Sequence, residues 1–103
     1  MADFNHPDNK AKFTLPDKPT IRQILVYDNT IEVGRTAQTM YIRLWNAALP
    51  LIQNWESDSV KIDIDLDDEY PGEDVIGILE WAGLAAFSWR LDLKNSETVA
   101  PKN

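Results

Sequence analysis

A chain of 103 residues, 44% of them hydrophobic and four of them Trp, carries enough apolar side chain for one modest core, which excludes a multidomain or wholly disordered protein. It has no Cys, so disulfide scaffolds, thiol nucleophiles and thiolate metal sites are excluded as well. The formal net charge of -7 argues against binding nucleic acid through its phosphates, and nine acids against one base between residues 56 and 74 leave the rest of the chain near neutrality.

Residues 1–12 open with MADFNHPDNK, polar and without the basic start and apolar run of a secretory signal, and read as a flexible tail ahead of one globular domain over 13–95. Lys12 to Leu15 suits a short strand, or simply packs Phe13 and Leu15 on the core. Pro16 and Pro19 punctuate the entry to the next element. Ile21, Ile24, Leu25 and Asp28 then fall on one face of a helix over about 19–28. The β-branched residues Ile21, Ile24, Val26, Thr30, Ile31 and Val33 support an alternative, a hairpin turning at Asp28-Asn29.

Gly34 closes that segment and Thr36 suits an N-cap. From 36 to 55, Ala37, Met40, Tyr41, Leu44, Trp45, Ala48, Leu51, Ile52 and Trp55 recur at three- and four-residue steps, the pattern of an amphipathic helix. Pro50 removes a backbone hydrogen bond and crowds the carbonyl of Asn46, so the spacing predicts a kink near Ala47 or a break into two shorter helices. The acidic connector follows. Val60, Ile62, Ile64 and Leu66 alternate with Lys61, Asp63, Asp65 and Asp67, the pattern of a half-buried strand.

The densest apolar run spans Gly72 to Lys94. Pro71 and Gly72 break the chain before it, and Glu73 and Asp74 suit the positive end of a helix macrodipole. Read at about 100° per residue, Val75, Ile78, Leu79, Ala82, Ala86, Trp89 and Leu93 form one stripe, the expected core face. Ile76, Leu84, Phe87 and Leu91 form a second stripe roughly opposite, with Glu80 among them, so the helix needs a second partner. Glu80 and Arg90 interrupt the run short of the roughly 20 apolar residues that a membrane span needs. Residues 96–103 read as a flexible tail. The fold class that follows is mainly α, a small three-helix domain with room for a short β-strand in the acidic connector; the alternative is α+β with an N-terminal hairpin.

Asp63, Asp65, Asp67 and Asp74 have spacing close to that of a calcium loop. Asp68 stands where the loop requires Gly, and Asp74 where a bidentate Glu is usual, so the pattern fits a solvated acidic face better and no metal or cofactor is expected. The single His lies in the N-terminal tail, and Ser57, Ser59, Ser88 and Ser96 have no base suggested by any motif. No catalytic residues are assigned, and an enzyme is not expected.

Leu15-Pro16, Lys18-Pro19-Thr20-Ile21-Arg22-Gln23, Arg43-Leu44-Trp45, Leu51-Ile52, Trp55 and Trp81-Ala82-Gly83 together resemble small proteins of phage tail modules, the tail assembly chaperone group. The resemblance implies a mostly helical protein without an active site. It also implies self-assembly and the sequestering of apolar helical stretches of a tape-measure protein in the cytoplasm of an infected or lysogenic host. The partner-binding residues expected on this reading are Ile76, Glu80, Leu84, Phe87 and Leu91, with a protein partner or a second copy, no direct nucleic-acid contact and no membrane. The other class left open is a small acidic inhibitor, of the anti-CRISPR or anti-restriction kind. It would use Asp63, Asp65, Asp67, Asp68 and Glu69 as a nucleic-acid mimic.

Overall fold

In a computed structural model, residues 2–33 and 40–99 are described, with side chains through 95. The elements in order are β1 (Ala2–Asn5), β2 (Lys12–Leu15), α1 (Ile21–Val33), α2 (Met40–Ala48), a 3-10 turn (Leu49–Leu51), β3 (Gln53–Glu56) and α3 (Glu73–Val99). The class is therefore α+β. Three helices pack with a three-stranded antiparallel sheet of order β1-β2-β3, and this overturns the mainly-α expectation.

β2 occupies Lys12–Leu15, where a short strand was one of the two readings; the strands not expected are β1 and β3, too short to leave a periodic signal. Residues 1–12, expected to be a flexible tail, supply β1 and a tight turn in which Asn9 adopts φ 58° and its N–H donates to the His6 carbonyl at 2.9 Å. The hairpin pairs Phe4 with Phe13, whose rings stack at 5.2 Å between centroids. Phe13 also meets Trp81 edge-on at 5.2 Å and stacks with Trp55 at 5.8 Å, so one buried ring ties the sheet to α3.

No hairpin turns at Asp28-Asn29; that segment is α1. Its start is held by a capping box: the Thr20 hydroxyl accepts the Gln23 N–H at 3.1 Å, and the Gln23 side chain accepts the Thr20 N–H at 2.8 Å. That reciprocal pair favours helix over the β-branched preference. Residues 34–39, including Gly34, Thr36 and Ala37, lie outside the described residues. The helix expected to run to 55 ends at Ala48 because Pro50 cannot continue it, and the chain passes through the 3-10 turn into β3. Trp55 is thus on a strand. A bulge at Asn54, with φ 56°, shifts the β2–β3 register, and the Asn54 amide donates to the Thr14 hydroxyl at 2.9 Å.

The strand expected over Val60 to Asp67 does not form, since β2 is already paired on both sides by β1 and β3. Turns take its place. The Ile64 N–H donates to the Lys61 carbonyl at 3.0 Å and the Asp68 N–H to the Asp65 carbonyl at 3.0 Å. Val60 is nevertheless buried, anchored where the Trp55 indole N–H donates to its carbonyl at 2.8 Å.

Val75, Ile78, Ala82, Ala86 and Trp89 are buried as expected of the core stripe, with Leu79 and Leu93 half-buried beside them. The α2–α3 contact is the closest approach between helices that glycine permits: a Cβ on Gly83 would lie 3.0 Å from Leu44 Cβ and 3.1 Å from the Trp45 backbone nitrogen. The helix continues to Val99, four residues past the expected end of the domain.

Tyr27 is the one α1 side chain fully buried, and its hydroxyl has no hydrogen-bond partner among the described residues. Burial, then the nearby Asp28 charge, pushes that hydroxyl up to about 12. The fold thus favours the neutral phenol. Its contribution is complete below pH 10 and is lost as pH rises from there towards 12. Tyr27→Phe removes an unsatisfied buried group, so it is expected to raise stability by about 1 kcal/mol at pH 7. It should also flatten the alkaline loss between pH 10 and 12, as urea titrations at pH 7 and pH 11 would read.

Candidate interaction surface

α3 carries the five expected partner-binding residues on one helical face, because spacings of four, four, three and four residues keep them within about 80° of arc. The structure divides them. Ile76 and Glu80 are half-buried, whereas Leu84, Phe87 and Leu91 are 42%, 36% and 42% exposed. α2 crosses α3 at Gly83, close beside this stripe, so Ile76 and Glu80 line a hollow against α2 while Leu84, Phe87 and Leu91 stand outward.

The N-terminal end of α3 is pinned from two sides. Lys10, in the hairpin turn, donates to Asp74 at 2.8 Å, and this hydrogen bond holds the Asp74 carboxyl below the usual carboxylate range and the Lys10 ammonium above its own. The Tyr70 hydroxyl donates to Glu73 at 2.6 Å, which raises the phenol. Farther along, the Arg90 guanidinium donates to both oxygens of Asp28 at 2.9 Å, lowering that carboxyl and joining α1 to α3.

Between α2 and α3 lies a hollow of about 270 Å³, walled by Tyr41, Ile42 and Trp45 on one side and Ile76, Leu79 and Glu80 on the other, with Leu66 of the connector at its edge. A second hollow of about 320 Å³ shares Leu66, Ile76 and Leu79 and is bounded by Asp65, Asp68 and Glu69. Together they form an apolar groove with an acidic rim.

Asp63, Asp65, Asp67, Asp68 and Glu69 are all exposed. The Asp65 carboxylate accepts the Asp67 N–H at 2.9 Å, an Asx turn, and none of the five makes an ion pair among the described residues. No group of three or more His, Asp or Glu side chains among the described residues could hold a metal ion. His6 accepts the Asp8 N–H through Nδ1 at 3.1 Å and sets its ring edge on Trp81, a structural engagement.

Sequence reasoning missed one surface. Ile21 and Leu25, placed on one face with Ile24, point outward: Ile21 is 82% and Leu25 62% exposed, with Val26 and Val33 beside them, while Ile24 packs against the core. The signal was the excess of apolar residues around α1, which carries more than one buried face can use.

No helix among the described residues is long and apolar enough to cross a membrane. No protein-family model matches the chain, and no curated protein or solved structure matches it either.

Proposed function

We propose that this chain is a non-enzymatic assembly protein that holds an apolar helical segment of a partner protein against α3. In this it would act as the phage tail assembly chaperones it resembles do for the tape-measure protein, in the cytoplasm of an infected or lysogenic host. One observation carries the reading. Leu84, Phe87 and Leu91 stand in solvent on a helix whose opposite face is already buried, so covering them with a second helix gains apolar burial without dismantling the core.

Burying one such side chain contributes about 1.5–3 kcal/mol, so Phe87→Glu combined with Leu91→Asp is expected to weaken binding of a labelled Leu- and Ala-rich helical peptide at least tenfold by fluorescence anisotropy. Replacing Asp63, Asp65 and Asp67 together by Asn should leave that binding unchanged. A second reading rests on the five exposed connector acids, which lack cation partners among the described residues: an acidic inhibitor that occupies the basic channel of a nucleic-acid enzyme. If the triple Asn variant lost activity towards a target while the Phe87 and Leu91 pair kept it, the assembly reading would be wrong and the inhibitor reading would stand.

A further inference from the structure

Along the outward side of α3, Glu80, Leu84, Phe87, Leu91 and Lys94 recur at steps of four, three, four and three residues, the spacing of a helix-pairing seam with an acid at one end and a base at the other. We infer that two copies of the chain pair through this seam, α3 against α3 in antiparallel register, about a two-fold axis beside Phe87. The inference rests on the partner-holding reading for its surface, and it names what covers Leu84, Phe87 and Leu91 when no other segment is bound.

The five residues fall within about 80° of arc, and between Ile76 and Asn95 that arc holds no other charged residue of α3. Leu84, Phe87, Leu91 and Lys94 are exposed and Glu80 is half-buried. The two charges stand symmetrically about Phe87, each about 10.5 Å from it along the helix. An antiparallel second copy therefore sets Glu80 level with Lys94 of its mate and Leu84 nearly level with Leu91, each twice over, with the two Phe87 rings meeting at the axis. A parallel copy would oppose Glu80 to Glu80 and Lys94 to Lys94. The seam is thus complementary to itself in one orientation, as an isologous two-fold contact requires. Glu80 has no Lys or Arg in the hollow beside it, so the second copy supplies the cation. At the other end, Arg90 already donates to both oxygens of Asp28, near which Lys94 also stands, so Glu80 of the mate adds a partner to Lys94 without displacing one.

Three apolar side chains from each copy, spread over about 21 Å of helix, make a small contact. Such a pair opens readily, so it shields the apolar stripe from solvent and still yields it to another helical segment.

The test is solution mass by sedimentation of the full chain across about 1–500 µM, with circular dichroism to confirm folding. The wild type is expected to pass from monomer to dimer and stop there, because a two-fold contact closes. Glu80→Lys and Lys94→Glu each place like charges opposite one another at both ends of the seam, and each should weaken the dimer about tenfold. The double variant, Glu80→Lys with Lys94→Glu, should restore it. Because the chain has no Cys, the register can also be read without charge changes. Leu84→Cys and Leu91→Cys, both at exposed positions, are mixed under an added oxidant, and the disulfide joining the two variants should predominate over either self-linked dimer. A wild type that stays monomeric overturns the inference. So do single charge variants that dimerise like the wild type, a double variant that fails to recover, or a predominance of self-linked dimers. The neutral Leu- and Ala-rich peptide should bind the two single charge variants at least as tightly as it binds the wild type. Peptide binding without a dimer therefore sinks this inference alone, and a dimer in a chain that binds no peptide sinks the partner-holding reading alone.

Discussion

Trp45→Ala is expected to destabilise the protein by about 3–5 kcal/mol, the largest effect of any single truncation considered. Trp45 is 2% exposed and packs edge-on against Trp55 at 5.6 Å, so it joins α2 to the sheet while its neighbours on α2, Leu44, Ala47 and Ala48, are buried alongside. Removing the indole leaves a void that the flanking elements cannot close, because Gly83 already brings α3 against the α2 backbone. A domain of this size has about 5–15 kcal/mol to lose, so a large fraction of total stability is at stake. A urea titration followed by far-UV circular dichroism would read it. A loss under about 1 kcal/mol would mean that the α2–sheet contact is looser than the ring geometry implies.

Gly83→Val should cost about 3 kcal/mol or more for the opposite reason, an excess of atoms. A Cβ at this position would already stand 3.0 Å from Leu44 Cβ and 3.1 Å from a backbone nitrogen, and backbone cannot rotate away as a side-chain tip can. The two helices must move apart, and Ala82 and Ala86, both buried at this contact, lose their packing. Gly77 is the internal control. Nothing lies within 4 Å of a Cβ there, so Gly77→Ala should stabilise by about 1 kcal/mol through helix propensity alone. Thermal melts of the two variants should shift in opposite directions. A parallel shift would show that the crossing at Gly83 is not the tight contact described.

Both variants bear on the interaction surface indirectly. The crossing at Gly83 lies close beside the exposed stripe of α3, so spreading α2 from α3 would also widen the groove at Tyr41, Trp45 and Glu80. The exposed part of the stripe, Leu84 to Leu91, lies beyond that groove. A peptide-binding defect in Gly83→Val that exceeded its loss of folded protein would tie the crossing to the site.

How much of this was legible in residue order differs by element. The two faces of α3 could be separated by angle because a long, uninterrupted helix repeats its period often enough to assign each side chain a direction. The acidic character of the connector was equally plain, since charge needs no partner to be counted. Of the sheet only β2 was legible, as one of two readings of Lys12 to Leu15. β1, β2 and β3 are four residues each, too short for alternation to declare itself, and the β2–β3 pairing joins residues as far apart in sequence as Lys12 and Glu56. Val60 to Asp67 erred in the other direction, because its strict alternation was a local signal and β2, the strand expected to pair with it, is taken on both sides by β1 and β3.

Sequence alone thus determined that α3 has more apolar surface than one contact can bury, and that the strongest charge lies in one connector. Helical period and composition are properties of the chain itself. Only tertiary structure decided which of those surfaces are left over. The β1–β2 hairpin and α2 compete for the faces of α3, Phe13 and Gly83 settle the outcome through ring contact and close backbone approach, and the uncovered remainder is Leu84, Phe87 and Leu91 together with the outward side of α1. Burial is a property of pairs of elements, so it could be read only once the pairs were known.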